Sequence, residues 1–220
     1  MAIEDIYRAV LEYDEEAVAG LVQAEVDAGT DLATILNEGM IAALDVIGEK
    51  FSEGTLFVPE MLMAAEAMQA GLAILRPLLI ETGAKPVGTI VLGTVKGDLH
   101  DIGKNLVGMM LEGAGFRVID LGTDVEAEAF IGAAQEHEAD IIALSGLLTT
   151  SMPEMERAVA AVQQANRSRN VHVKVMVGGP PVNEEFASRI GADGYGMDAP
   201  GAVERARAML RASRGCADTI

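Results

Sequence analysis

Asp98, His100 and Asp101 fall within four residues of one another in the stretch Thr94-Val95-Lys96-Gly97-Asp98-Leu99-His100-Asp101-Ile102-Gly103. Carboxylates and an imidazole this close can ligate a metal. A purely structural histidine that bonds an adjacent loop fits the same residues. A hydrolytic zinc centre asks for three protein ligands and an open position, more than one histidine and its neighbours supply. A metal held mainly by its own macrocycle needs a single axial ligand, which suits so sparse a donor set. The stretch is not a phosphate loop, because Gly93-Thr94-Val95-Lys96-Gly97 lacks a Gly-Lys-Ser/Thr ending and no G-x-G-x-x-G follows. The other histidines are less promising: His137 sits in the charged helix end Gln135-Glu136-His137-Glu138, and His172 opens a later strand at the opposite end of the sheet.

These residues need a frame, and the flanking pattern predicts one. Val87–Gly93 is apolar and β-branched, and a helical pattern resumes near Gly103. Asp98 and His100 are therefore expected on a loop at the carboxyl end of a strand, where open α/β sheets bind ligands. Strands at Arg117–Leu121, Ile141–Ser145, Val171–Val177 and Gly194–Met197 alternate with helices. Runs such as Ile141-Ile142-Ala143-Leu144 are apolar without alternation, as in parallel strands covered on both faces. The expected fold of residues 87–220 is a flavodoxin-like (Rossmann-type) five-stranded parallel α/β domain, order 2-1-3-4-5, with its switch point between the first and third strands. The loops after the third and fourth strands, Ser145-Gly146-Leu147-Leu148-Thr149-Thr150-Ser151 and Gly178-Gly179-Pro180-Pro181, would share that edge. Their small residues let a ligand approach the backbone.

Upstream, residues 1–82 carry only helical spacing: Ile6 and Val10, then Val18, Leu21 and Val22, then Ile35 to Phe51, then Met61 to Leu79. Short turns between them predict an up-and-down four-helix bundle, with residues 83–86 as a linker. The formal net charge is −18, which argues against a nucleic-acid partner. Most of that charge lies upstream: residues 1–82 hold 16 acidic against 3 basic residues, residues 83–220 hold 18 against 13. No apolar run is expected to reach the length needed to span a bilayer, since charges or glycines interrupt every candidate, and Met1-Ala2-Ile3-Glu4-Asp5 lacks a secretory start, so a cytoplasmic location without membrane contact is expected. The single cysteine, Cys216, lies in a polar tail and reads as a thiol without function.

Together, Asp98-x-His100-x-x-Gly103, Ser145-x-Leu147 and Gly178-Gly179 resemble the three-part signature of cobalamin-binding domains that displace the cofactor's own base with a protein histidine. The longer run from Gly97 to Asn105, which takes in Asp101 and Ile102, is similar to cobalamin-dependent methionine synthase and to corrinoid proteins of methyltransferase systems. Phe51-Ser52-Glu53-Gly54 and Phe57-Val58-Pro59-Glu60 are similar to the helical cap preceding the cobalamin domain there. The resemblance implies that His100 ligates cobalt, that Asp98 accepts the other imidazole N–H, and that Ser145 bonds onward or to the nucleotide tail. It places Leu147, Thr149, Ser151, Gly178 and Gly179 along the slot for the displaced dimethylbenzimidazole, and Phe51 and Val58 over the methyl-bearing face. Two departures stand out: Pro180-Pro181 follows the paired glycines, and Val58 replaces a leucine.

The same resemblance implies a methyl carrier with cobalamin as cofactor in its methylcobalamin form. A substrate-specific methyltransferase would load cob(I)alamin, and a second methyltransferase would pass the methyl group to tetrahydrofolate or coenzyme M. A reductive activator protein would rescue oxidised cofactor. The chain would be the cofactor-carrying subunit rather than a complete enzyme. The alternatives are a cobalamin-binding sensor, disfavoured by acidity and the lack of Trp, a cobalamin subunit of a radical mutase, and a cobalamin-free flavodoxin-like protein.

Overall fold

Side-chain caps set where the first helices start. Asp14 accepts the Ala17 N–H at 2.9 Å and so separates α1 (Ala2–Leu11) from α2 (Glu15–Asp27). Gly29, at φ 78°, turns the chain beyond α2, and Asp31 caps the next helical run by accepting the Thr34 N–H at 2.9 Å. The chain is described by a computed structural model over residues 2–82, 85–168 and 172–214. The sequence predicts one regular helix after Asp31. The structure instead shows α3 (Leu32–Thr34), a π-helical stretch Ile35–Ile41 and α4 (Ala42–Ser52) in continuous succession. There the Ala42 N–H reaches back five residues to Asn37 O. A spacing of four residues, as from Leu36 to Met40, fits either winding, so periodicity does not register the difference. α5 (Val58–Glu81) begins with Pro59 in its first turn, and the Glu60 carboxylate accepts the Phe57 N–H at 3.1 Å.

Ile6, Val10, Val18, Val22, Ile35, Leu44, Ile47, Met61, Met68 and Leu75 are buried in this helical unit. Each large apolar side chain so buried contributes about 1.5–3 kcal/mol. One expectation is corrected here. Val58–Leu79, at mean hydropathy 1.3, is long and apolar enough to cross a membrane. The reason is that α5 is a core helix, with Met61, Ala64, Ala65, Ala67, Met68, Leu72 and Leu75 all buried.

The chain divides into two compact units: Met1–Pro86 with Glu112–Gly115, and Val87–Leu111 with Phe116–Ile220. The second unit is built on β1 (Thr89–Thr94), β2 (Arg117–Asp120), β3 (Ile141–Ser145), β4 (Lys174–Gly178) and β5 (Gly194–Gly196). All neighbouring pairs are parallel and the order is β2-β1-β3-β4-β5, as the pattern predicts. Between the strands run α6 (Ile102–Gly113), α7 (Ala127–Glu136), α8 (Met152–Ser168) and α9 (Glu184–Ile190), and α10 (Ala199–Arg214) follows β5. Val91, Ile142, Leu144, Val175 and Val177 pack with Phe130, Ile131, Val159, Val162 and Phe186 of α7, α8 and α9. Of the expectations above, Val171, the linker residues Gly83 and Ala84, and Cys216 lie outside the described residues.

Register fixes the functional edge. Thr94 pairs with Ser145, Ser145 with Gly178, and Gly178 with Gly196, so four strands end level with one another. The loops that follow them start from one line at the switch point, where a crevice opens by topology.

Candidate functional site

β1 ends in Thr94, whose fully buried hydroxyl donates to His100 O at 2.9 Å. That bond ties the loop back to the strand it left. Gly97, at φ 79°, makes the turn, and the Asp98 N–H donates to Val95 O at 3.2 Å. The Asp98 side chain is thereby sent inward, where it is 0% exposed.

Five donors converge on that carboxylate. Oδ1 accepts from the His100 ring Nδ1 at 2.7 Å and from the His100 N–H at 3.1 Å. Oδ2 accepts from the Leu147 N–H at 2.7 Å, the Leu148 N–H at 3.2 Å and the Ser151 hydroxyl at 3.0 Å. Burial by itself would raise the Asp98 carboxyl. The His100 ring and amide and the Leu147 and Leu148 amides outweigh it and hold the group well below the usual carboxylate range. Asp98 is thus an anion that fastens the β1 loop to the β3 loop.

The imidazole faces outward. Its side chain is 53% exposed although Nδ1 is engaged on the buried carboxylate. In the tautomer that donates Nδ1–H to Asp98, Nε2 carries the free lone pair, and only that nitrogen is offered to an incoming group. The same two loops and the start of α6 carry large apolar side chains that are all exposed: Leu99, Ile102, Leu147 and Leu148. Asp101 and Gly103 are exposed as well, and Asp101 O opens α6 by accepting the Asn105 N–H at 2.7 Å.

The expected onward partner of Asp98 changes. Ser145 ends β3 half-buried, and no hydrogen bond joins its hydroxyl to Asp98 or His100. Ser151, expected along a tail slot, is 2% exposed and supplies the bond to Asp98. Its hydroxyl also reaches Leu148 O at 2.7 Å. Strand geometry explains the exchange: Ser145 is held in register on β3, whereas the 146–151 turn carries Ser151 back beneath Asp98. Thr149 is exposed on that turn.

The paired glycines have a reason of their own. A Cβ on Gly179 (φ 124°) would lie 2.0 Å from Gly146 O, and one on Gly178 would lie 3.0 Å from Gly196 O. Close approach of the protein's own loops therefore requires glycine there. Phe51 is half-buried near the end of α4, and Val58 is exposed at the start of α5; both belong to the helical unit. Residue reasoning also passes over Lys104. Its ammonium is 1% exposed in the first turn of α6, paired with Asp120 and 2.7 Å from Asn105 Oδ1. A cation at a helix N-terminus opposes the helix dipole, and that misfit is the signal in the sequence.

An open parallel sheet with an outward imidazole at its switch point defines a cofactor-binding α/β protein. Residues 88–204 and residues 2–76 each match a family described as B12 binding domain. A corrinoid protein of Desulfitobacterium hafniense (strain Y51) is 43% identical over 211 residues, covering 94% of this chain and 97% of that one. Trimethylamine corrinoid protein 1 of Methanosarcina acetivorans is 40% identical over 204 residues, covering 92% and 94%. A chain in the crystal structure of the methanol:cobalamin methyltransferase complex MtaBC from Methanosarcina barkeri superposes with a TM-score of 0.79 at 31% identity, covering 96% of this chain and 80% of that one. The chain belongs to the B12-binding corrinoid proteins.

Proposed function

We propose that this protein is a corrinoid methyl carrier in which His100 would hold the cobalt of a bound corrinoid through Nε2. The carrying observation is the Asp98–His100 pair: Nδ1 lies 2.7 Å from a fully buried carboxylate oxygen while the ring stays 53% exposed. A bound corrinoid would supply a cobalt centre that accepts a methyl group and gives it up again. The donor set fits such a group, because a metal held mainly by its own macrocycle asks for one protein ligand, and His100 is offered on loops that also expose Leu99, Ile102, Leu147 and Leu148.

Asp98 fixes the ring tautomer and raises the basicity of Nε2, and Ser151 together with the Leu147 and Leu148 amides keeps Asp98 ionised. Ser145, Thr149, Gly178 and Gly179 stand along the edge where the displaced base and its nucleotide tail would enter. Gly97 and Gly103 shape the loop. The methyltransferase complex that holds a similar chain supports the first partner we propose, a substrate-specific methyltransferase; a methyltransferase acting on tetrahydrofolate or coenzyme M and a reductive activator protein complete the proposal on the sequence resemblance alone. We place the carrier in the cytoplasm.

His100→Ala tests the assignment. The cofactor-free protein, titrated with methylcobalamin, should give a base-off, histidine-on visible spectrum in the wild type. The variant should lose that spectrum or weaken binding about 10–100-fold, the usual effect of disturbing a ligand shell. Identical spectra and affinities in the two proteins remove His100 from the role.

A further inference from the structure

Beyond β2 the chain turns back along the end of β1. The Thr94 N–H donates to Gly122 O at 2.9 Å, the Val125 N–H donates to Thr94 O at 3.0 Å, and Val95 and Val125 form a parallel bridge. Asp124 lies inside this pairing. It is exposed, and at φ 56° it occupies the left-handed region, which Asp and Asn tolerate better than other side chains. Its Oδ1 accepts the Gly97 N–H at 2.7 Å, and its own N–H donates to Asp98 O at 3.0 Å. The Gly97-Asp98 dipeptide is therefore gripped at both ends.

That grip has a downstream geometry. Asp98 Oδ1 must arrive 2.7 Å from His100 Nδ1 while Oδ2 arrives 2.7 Å from the Leu147 amide. Rotating the dipeptide about its ends spoils both contacts together. Core packing does not ask for Asp124, which is exposed. An uncommon backbone conformation kept at an exposed position beside a functional loop calls for a reason in that loop.

We propose that Asp124 is a positioning residue for the His100 imidazole: its carboxylate holds Gly97-Asp98 in the orientation that lets Asp98 grip Nδ1 and leave Nε2 outward. Asp124 acts through Asp98 and touches no cofactor. The inference rests on His100 being the axial ligand.

The test uses the full chain with Asp124→Ala, Asp124→Gly and Asp124→Asn. Asn keeps both the acceptor oxygen and the tolerance of positive φ, while Gly relieves φ without restoring the acceptor. Two readouts are taken on folded protein. In the cofactor-free state, imidazole ¹⁵N shifts report the ring tautomer of His100, and amide exchange reports the Gly97 N–H. In protein made with ¹⁵N-histidine and loaded with cob(II)alamin, the electron paramagnetic resonance splitting shows a doublet when histidine is axial and a triplet when the cofactor's own ¹⁴N base is.

Ala and Gly should expose the Gly97 amide, mix the tautomers, weaken hydroxocobalamin binding about tenfold and add a triplet component, while Asn stays like the wild type. A wild-type triplet would end the axial-ligand reading, and Asp124 would then stand or fall on the tautomer alone. A wild-type doublet with tautomer, affinity and doublet unchanged in Ala and Gly overturns the inference. So does a loss seen in Ala but absent in Gly, since φ strain would then explain it.

Discussion

Ser151→Ala, set against Ser145→Ala, separates the residue that supports Asp98 from the one expected to. Ser151 is 2% exposed, and its hydroxyl lies 3.0 Å from Asp98 Oδ2 and 2.7 Å from Leu148 O. A hydrogen bond to a charged group contributes about 1.5–3 kcal/mol. Asp98 keeps its His100 ring, His100 amide, Leu147 amide and Leu148 amide donors after the change. The single hydroxyl proton is also divided between two acceptors. Both facts push the loss to the lower end, about 1.5 kcal/mol. Ser145 makes no bond to the pair, so its alanine variant should stay within about 0.5 kcal/mol of wild type. Urea unfolding of the cofactor-free protein, followed by circular dichroism, gives both numbers from the midpoints at a common slope. Equal losses, or a larger loss for Ser145→Ala, would refute the placement of Ser151 in the Asp98 network.

Two other outcomes follow from the same charges. The Asp98 carboxyl is depressed in the folded chain, so its contribution is complete above the unfolded carboxyl range near pH 4 and is lost as pH falls toward the folded value. The stability gap between wild type and Asp98→Asn should accordingly narrow as unfolding is measured from pH 6 down to pH 3; a gap that stays constant counts against an anionic Asp98. At the buried cation, Asp120→Ala strands the Lys104 ammonium with Asn105 alone and should cost about 2 kcal/mol, reduced from the range for fully buried pairs because Asp120 is 44% exposed. Lys104→Met removes the charge but keeps the stem and should cost less; thermal unfolding giving the opposite order would show that the pair is not what holds the start of α6.

The parallel strands and their order were legible because burial on both faces writes continuous apolar runs, and because right-handed crossovers leave few ways to arrange five of them. Helix starts were legible where a cap is local, as at Asp14, which bonds a residue three positions on. The π-helical stretch was not, since apolar residues four apart, such as Leu36 and Met40, line one face in either winding. Lys104 was missed for a related reason. Its position on an amphipathic helix looks solvated, and its burial depends on Asp120 at the end of a separate strand.

The site itself divides along the same line. Asp98 and His100 stand two residues apart, and the contact that the resemblance implies between them needs no distant element once the loop is placed. Ser151 is 53 residues from Asp98, and its arrival depends on the course of the 146–151 turn, which closes with the Ser151 N–H on Leu148 O at 3.0 Å. The resemblance put forward Ser145 instead, which ends the strand. A strand end fixes a side chain to the pleat, however, and only a turn can bring a hydroxyl underneath the neighbouring loop. Asp124 has the same character: two hydrogen bonds to Gly97 and Asp98 connect loops that the sequence separates by more than twenty residues. Spacing and resemblance thus point to His100 and its immediate partner, whereas the groups that hold them in place are carried by loops whose shape the backbone decides.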